Sequence, residues 1–348
     1  MRIAQLSPLF ESVPPALYGG TERVVSYLTE ELVKAGHEVV LFASGDSRTS
    51  AELVSCSEKA LRLDERRLDP VSLHLIMMEE VLKRADEFDI IHSHVDCIGF
   101  VLGRRTRVPC VNTLHGRLDM AEHDLIFREY GESPLVSISN SQRAPRKDAN
   151  WIATVYHGIP PDLYSLNPRT GDYLLYVGRV SPEKKVDSAI RISELSGIRI
   201  KIAAKVDRSD LDYFNCRIKP LLKSPLVEFM GEVNDREKNE LMGSALAFLH
   251  PVDWPEPFGL SMLEAMACGT PVIARRRGSI PEVVDHGVTG FIFETDEEAA
   301  AYVSELCPGL SRVKCRKRFE ERFLAKRMAR DYLGAYGLAI DRGSGAWL

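Results

Sequence analysis

Residues 254–271 have the sequence WPEPFGLSMLEAMACGTP, the most informative stretch of this chain. A short apolar run of buried-strand type precedes them at 245–249, and Gly269 followed by Pro271 is typical of the end of a helix. The predicted order is strand, loop and helix, with the helix beginning at Gly259 or Ser261. Free backbone N–H groups at residues 259–262 would then lie at the positive end of the helix dipole, which favours a phosphate.

Two glutamates lie on either side of this predicted anion site. Glu256 is in the loop before the helix, and Glu264 is one turn inside it, about 6 Å along the axis from residue 260. Carboxylates accept hydrogen bonds from sugar hydroxyls, whereas backbone amides bind phosphates. This order fits a nucleotide sugar. The alternative is that the two residues are a loop acid and a solvated helix position.

The setting of the two glutamates closely resembles that of the retaining glycosyltransferases of family four, which have the GT-B architecture. It matches their pattern P-E-P-F-G-L-x-x-L-E-A-M-A-C-G-T-P-V-I. Four further stretches resemble the family in the same order: GGTE at 19–22, GRVSPEK at 178–184, GSIPEVV at 278–284 and GVTGF at 287–291. The resemblance extends over nearly the whole chain and implies an α/β protein with two Rossmann-like domains that face each other across a cleft.

Length and composition agree with a two-domain globular protein. The chain has 348 residues, of which 45% are apolar and 27% charged. No apolar run approaches the ~20 residues of a membrane span, and no cleavable leader is recognisable, so we expect a cytoplasmic protein. The net charge of −5 argues against a nucleic-acid partner. The seven cysteines are odd in number and show no paired spacing, which favours reduced thiols.

Residues 312–318 contain a local run of basic side chains: Arg312, Lys314, Arg316, Lys317 and Arg318. A solvated helix face is the expected explanation, and a peripheral contact with an anionic membrane surface is the alternative.

The N-terminal part alternates β-type runs with helical sequence, which predicts a doubly wound parallel sheet. The runs are 2–7, 38–43, 89–93, 108–114 and 135–139. A glycine turn at 19–22 opens the first helix, with Thr21 as the expected N-cap. His115 follows the fourth run, at the end of a strand where ligands bind, and could donate a hydrogen bond to a sugar hydroxyl or phosphate. A structural role is the alternative. We expect His92 and His94 to be structural and to point to opposite faces of their strand.

A short strand and a proline-rich break at 151–161 precede a second α/β series. Its β-type runs are 172–177, 199–203, 227–229, 245–249 and 272–274. We therefore predict an N-terminal domain at 1–165 and a C-terminal domain at 166–324. The family resemblance implies that a final helix at about 325–348 packs back onto the N-terminal domain.

Arg179 and Lys184 follow the first strand of the second series, where both cations can reach one cleft and neutralise a diphosphate. Surface ion pairing is the alternative. Lys185 stands where many family members have glycine. Lys205 follows the next strand and is a weaker candidate for the nucleotide. Asp210 and Asp212 are an acid pair, but the first turn of a helix explains them better than a metal site does.

The resemblance implies transfer of a sugar from a nucleotide diphosphate sugar, of the UDP or GDP type, to an acceptor hydroxyl with retained configuration. No metal or other cofactor is expected. The expected catalytic residues are Glu256, His115, Arg179 and Lys184. The residues expected to bind the donor are Gly20, Arg179, Lys184, Phe258, Gly259, Leu260, Ser261 and Glu264. A nucleotide-sugar epimerase of similar two-domain fold and a non-catalytic nucleotide-sugar-binding protein are the alternatives.

Overall fold

The computed structural model describes residues 1–16 and 19–343, and in it the chain forms two compact units. The first unit consists of Met1–Pro160 and the segment that begins at Ala325. The second is Pro161–Leu324. The first change of unit therefore falls a few residues before the boundary expected at 165. Residues 344–348 of the predicted final helix lie outside the described residues.

The first unit is built on a parallel sheet. Its described strands are β1 (Arg2–Leu6), β2 (Glu38–Ser44), β3 (Glu52–Ser57), β4 (Ile90–Ser93), β5 (Cys110–Thr113), β6 (Leu135–Ser137) and β7 (Trp151–Thr154). Their order in the sheet is β3-β2-β1-β4-β5-β6-β7. The connecting helices are α1 (Gly20–Lys34), α2 (Pro70–Lys83), α3 (Ala121–Glu129) and α4 (Asn140–Arg143).

The second unit has a parallel sheet of the same kind. Its strands are β8 (Leu174–Arg179), β9 (Ile200–Lys205), β10 (Val227–Gly231), β11 (Ala247–His250), β12 (Val272–Arg275) and β13 (Gly290–Phe293). Their order is β10-β9-β8-β11-β12-β13. Its helices are α5 (Val186–Ser196), α6 (Leu211–Tyr213), α7 (Asp235–Gly243), α8 (Leu260–Ala267), α9 (Ile280–Val283), α10 (Asp296–Ala301) and α11 (Arg312–Arg322).

The last helix, α12 (Ala325–Gly343), belongs to the first unit and packs against α1, β5 and β7. Its Tyr332 and Tyr336 are fully buried. At its start, the Arg327 guanidinium donates to the carbonyls of Tyr156 and His157, both at 2.8 Å. These contacts attach the C-terminal segment to the unit that contains the N-terminus.

The expected fold class is confirmed, because each unit is an α/β structure with a parallel sheet. Two strands were not predicted, and both lie at sheet edges. The edge strand β3 is only partly buried and carries several polar residues, and β13 has four residues within a glycine-rich stretch. The predicted N-cap was wrong: Gly19 caps α1 and Thr21 lies inside the helix, which begins at Gly20, two residues before the start that an N-cap at Thr21 would give.

The basic run at 312–318 is not simply a solvated face, which corrects the expectation. Arg312 is buried and donates to the carbonyls of Asn167, Gly243 and Ala245 at 2.6 to 2.8 Å. Arg316 donates to three further carbonyls of the same unit. These side chains fasten α11 to the loops around it. As for membranes, none of the described helices combines the length and apolar character needed to cross one.

Arg312→Met should lower the free energy of unfolding by about 3 kcal/mol or more, because it leaves several buried carbonyls without a donor. Lys317→Met is the matched control on the same helix, since its side chain is 73% exposed. Urea denaturation of both variants measures the difference. Equal midpoints for the two variants would contradict the role given to Arg312.

Candidate active site

The strand, loop and helix predicted around residue 256 are confirmed as β11, a loop and α8. Gly259 caps α8 with a φ of 87°, and Gly269 follows the helix with a φ of 78°. Both angles lie in the left-handed region, where glycine is favoured. One of the four amides expected at the anion site is already used, because the N–H of Met262 donates to the Gly259 carbonyl at 3.1 Å. Residues 259–261, at the N-terminus of α8, are half-buried.

Glu256 is buried and held by two donors. The Lys184 ammonium lies 2.5 Å from its Oε2, and the indole N–H of Trp254 donates to the same oxygen at 2.8 Å. Burial alone would raise the pKa of this carboxyl, but the Lys184 charge and the other polar neighbours lower it below its usual value. Glu256 is therefore an ionised carboxylate that can only accept hydrogen bonds.

Trp254 and His250 complete the surroundings of this carboxylate. The Lys184 Nζ lies over the indole ring of Trp254, 4.6 Å from its centroid, so one aromatic side chain contacts both members of the ion pair. The Nε2 of His250 is 3.9 Å from Glu256 Oε2. Burial lowers the pKa of His250 to about 4, which leaves it neutral at neutral pH. Neither residue was predicted, although both belong to or adjoin the quoted stretch.

Lys184 and Lys185 occupy the turn between β8 and α5. Lys185 has a φ of 56°, in the left-handed region that glycine adopts without strain. Glycine therefore suits this position in other family members. Here the lysine adopts the same left-handed backbone conformation. The side chain of Lys185 contacts Asp187 at 3.4 Å, whereas that of Lys184 contacts Glu256. Only the first of the two cations therefore reaches the glutamate loop.

Arg179 lies at the carboxyl end of β8 among three carboxylates. Its guanidinium contacts Glu183 at 2.6 Å and lies 3.8 Å from both Asp207 and Asp210. Asp210 thus faces an arginine. Across the described residues, no group of three or more His, Cys, Asp or Glu side chains is arranged to hold a metal ion. Lys205 is the residue beside Arg179 in the neighbouring strand, and it contacts Asp207 at 3.3 Å.

Glu264 is buried inside α8 and paired with a residue that sequence reasoning missed. The Lys238 ammonium, from α7, lies 2.7 Å from Glu264 Oε1. Lys238 also contacts Asp235 at 3.1 Å. A lysine 26 positions earlier, on a different helix, gives no recognisable pattern in sequence. The second oxygen of Glu264 makes no hydrogen bond to any described side chain.

The loop between Glu256 and α8 is supported from behind by residues 278 and 279. Ser279 donates through its backbone to the Glu256 carbonyl and through its hydroxyl to the Phe258 carbonyl, both at 2.9 Å. The Phe258 ring is buried and packs edge-on against Phe323. A Cβ on Gly278 would lie 2.3 Å from the Glu256 carbonyl oxygen. Gly278 therefore permits the loop to sit where it does.

In the first unit, Gly20 is the first residue of α1 and follows the N-cap Gly19. Residues 17 and 18 are outside the described part. His115 follows β5 and is half-buried. Its Nε2 lies 2.9 Å from Nδ1 of His94. The expectation that His92 and His94 point to opposite faces was wrong, because residues two apart on a strand point to the same face. Their rings are 3.9 Å apart and share one polar cluster.

Two family models match consecutive parts of the chain. The model described as Glycosyltransferase Family 4 matches residues 18–162, and the one described as Glycosyl transferases group 1 matches residues 165–322. The chain is a glycosyltransferase of family four. The predicted family and its GT-B fold are thus confirmed.

Individual relatives are distant. An uncharacterized glycosyltransferase of Methanocaldococcus jannaschii is 26% identical, with 83% of this chain and 85% of that protein covered. The D-inositol 3-phosphate glycosyltransferase of Mycobacterium avium is 27% identical, but only 62% of this chain and 59% of that protein are covered. The fold is similar to that of HepE from Anabaena, solved in complex with UDP and glucose, with a TM-score of 0.75 and 21% identity over 97% of this chain and 100% of HepE.

Gly278→Ala should reduce the turnover of this glycosyltransferase by about 10²-fold, because the added Cβ displaces the backbone of Glu256 by a large fraction of an ångström. Gly287→Ala is the matched control: its φ of 78° is also left-handed, but nothing lies within 4 Å of its Cβ position. The control should lose only about 1 kcal/mol of stability. Turnover and the melting temperature are measured for both variants. Equal turnover for Gly278→Ala and Gly287→Ala would contradict the prediction.

Proposed function

We propose that this glycosyltransferase moves a sugar from a nucleotide diphosphate sugar, of the UDP or GDP type, to an acceptor hydroxyl, with retained configuration and without a divalent metal. The observation that carries the proposal is the ion pair of Lys184 and Glu256, close to the start of α8. In a nucleotide sugar an anionic diphosphate adjoins a sugar. The cation of this pair would contact the diphosphate, and the carboxylate would accept hydrogen bonds from the sugar hydroxyls. HepE, which has the same fold, was solved with UDP and glucose, and this supports a nucleotide-sugar donor.

The cations act on the leaving group. As the bond between the sugar and the diphosphate breaks, negative charge grows on the diphosphate, so a nearby cation stabilises the transition state more than the bound donor. Arg179 offers a planar fork of donors, Lys184 a point charge, and the start of α8 its backbone amides. Together they supply the charge that other transferases obtain from a divalent ion.

The carboxylates act on the hydroxyls. Both donors to Glu256 bind its Oε2, so we assign Oε1 to a hydroxyl of the transferred sugar. Lys238 binds Oε1 of Glu264, so we assign Oε2 to the ribose. Each lysine thereby holds one oxygen of a glutamate and leaves the other for the ligand. From the first unit, we assign Gly20 to the diphosphate and His115 to the sugar, as the family resemblance implies.

A panel of donors tests the proposal. The chain is incubated with UDP-glucose, UDP-galactose, UDP-N-acetylglucosamine or GDP-mannose, with and without mixed sugar and polyol acceptors, and the products are followed by chromatography and NMR. Release of nucleoside diphosphate with at least one donor, and a product of retained configuration, is expected. Conversion of one nucleotide sugar to its epimer without release would favour an epimerase. Binding of a donor with no conversion would favour a binding protein.

Lys184→Ala should lower kcat by about 10²–10³-fold with a smaller change in donor affinity, because its charge acts mainly in the transition state. Lys185→Gly is the control. It removes the neighbouring cation, and glycine adopts the left-handed backbone conformation of residue 185 without strain, so kcat should stay near that of the parent. Parallel measurement of kcat and donor Kd gives the answer. If instead kcat falls in Lys185→Gly and stays near the parent value in Lys184→Ala, Lys185 and not Lys184 stabilises the departing diphosphate.

Glu264→Ala should weaken binding of UDP or GDP by about 10- to 100-fold, because a charged acceptor of the ribose hydroxyls is lost. Glu256→Ala should leave the affinity for the nucleoside diphosphate nearly unchanged and lower turnover instead. Titration calorimetry with UDP and GDP measures both variants. An unchanged affinity for Glu264→Ala would remove the ribose assignment.

A further inference from the structure

We propose that Gln5 and His94 are positioning residues that present Nδ1 of His115 to a substrate hydroxyl as a hydrogen-bond acceptor. The identity of the substrate rests on the proposed function, but the orientation of His115 rests on the first unit alone. The sequence suggested that His115 donates a hydrogen bond, and the hydrogen-bond network reverses that direction.

The network lies where the central strands of the first sheet end. Gln5 on β1 is the neighbour of His92 on β4, and Thr113 is the last residue of β5. His94 follows β4, and His115 follows β5 by two residues. The helix α12 contributes Tyr332 and Tyr336 to the same cluster. Apart from half-buried His115, these side chains are enclosed, so each polar atom needs a defined partner.

The direction of the hydrogen bonds follows from the orientation of the Gln5 amide, whose oxygen is placed toward His94 and whose nitrogen is placed toward Tyr336. Its Oε1 lies 3.0 Å from Nε2 of His94, and a carbonyl oxygen can only accept, so His94 carries its proton on Nε2. Nδ1 of the neutral His94 is then an acceptor. It lies 2.9 Å from Nε2 of His115, which must therefore carry the proton of His115. The remaining nitrogen of His115, Nδ1, has a lone pair and no hydrogen bond to any described residue.

The other end of the network is compatible with this direction. The Gln5 amide nitrogen donates to the Tyr336 hydroxyl at 2.8 Å and also faces Nδ1 of His92 at 3.4 Å. The Tyr336 hydroxyl lies 2.8 Å from that same Nδ1, to which it donates. His92 then donates from Nε2 to the Thr113 hydroxyl at 2.8 Å. Each of the three imidazoles in this network, His92, His94 and His115, thus has one protonated nitrogen that donates and one bare nitrogen that can accept.

The rings must be neutral for this pattern to persist, and their burial ensures it. Burial lowers the pKa of His92 and His94 well below the usual value and that of His115 to about 3. The His157 ring stacks on the His115 ring, with 5.3 Å between the ring centroids and an angle of 18° between the planes. The stacking restricts rotation of the His115 ring. Nδ1 therefore has a fixed direction as well as a fixed protonation state.

An acceptor at Nδ1 selects for a group that can donate. A hydroxyl satisfies it, whereas a phosphate oxygen, an ether or a deoxy position does not, and an acceptor left without a partner once a ligand has displaced water is costly. We infer that the network lets His115 discriminate in favour of a sugar with a free hydroxyl at the contacted position. The role of Gln5 and His94 is then specificity through His115 and not contact with the ligand.

The tautomer can be measured without any substrate. The full chain labelled with ¹⁵N-histidine is studied by long-range ¹H–¹⁵N correlation at neutral pH, with His115→Ala used to identify the His115 signals. Protonated and bare imidazole nitrogens have well-separated ¹⁵N shifts. A proton on Nε2 and a bare Nδ1 are expected. A proton on Nδ1 of His115 would overturn the proposal whatever reaction the protein catalyses.

Two variants test the positioning role with the donor that turns over fastest in the panel. His94→Asn places an amide oxygen where Nδ1 was, and it should keep most of the activity and the His115 tautomer. His94→Leu should lose the tautomer preference and about 10- to 100-fold of kcat, the range found when a residue that orients a functional histidine is removed. Both variants should bind UDP or GDP like the parent. Equal kcat for the two variants at equal melting temperature would overturn the proposal.

Discussion

The ion pair between Lys184 and Glu256 is the interaction on which the rest of the site depends. It joins the turn after β8 to the loop after β11, and the backbone of Asp253 reinforces the link by donating to the Glu183 carbonyl at 2.8 Å. Burying either charge alone would cost several kcal/mol, so each residue stabilises the other in the ligand-free protein. Trp254 contacts both charges, because its indole N–H donates to Glu256 and its ring lies against the Lys184 ammonium. In the proposed complex, a ligand offers phosphates to Lys184 and a hydroxyl to Oε1 of Glu256 while the ion pair persists, so no buried charge is left unpaired.

The two units solve the problem of positioning polar groups by the same means. In each, parallel strands end at one edge of a sheet, and the candidate side chains lie at or just after the carboxyl end of a strand. In the second unit these are Arg179, the last residue of β8, and Glu256 in the loop after β11; in the first they are His94 after β4 and His115 after β5. Rigid strands thus fix where short polar loops begin. Buried partners such as Lys238 and Gln5 then fix which atom of each functional group remains available.

Local sequence predicted the parts that depend on neighbours in the chain. The helix from Leu260 to Ala267, the turn around Arg179 and most strands are governed by apolar runs, glycines and prolines, and these are visible in sequence. Partners distant in sequence were missed, such as Lys238 for Glu264 and Gln5 for His94, because tertiary packing alone brings them together. The contact between His92 and His94 was missed because the two residues were placed on opposite faces of the strand, whereas residues two apart lie on one face. Arg312 looked like a surface residue because its carbonyl partners carry no side-chain pattern.

The central claim is that protein cations, and not a metal ion, stabilise the departing diphosphate. Turnover of the preferred nucleotide sugar, measured after exhaustive dialysis and in excess EDTA, tests this most directly. The account predicts the same kcat with and without EDTA, and no gain when magnesium or manganese is added. Loss of turnover in EDTA that manganese restores would contradict it and would require a metal where Arg179 and Lys184 have been assigned.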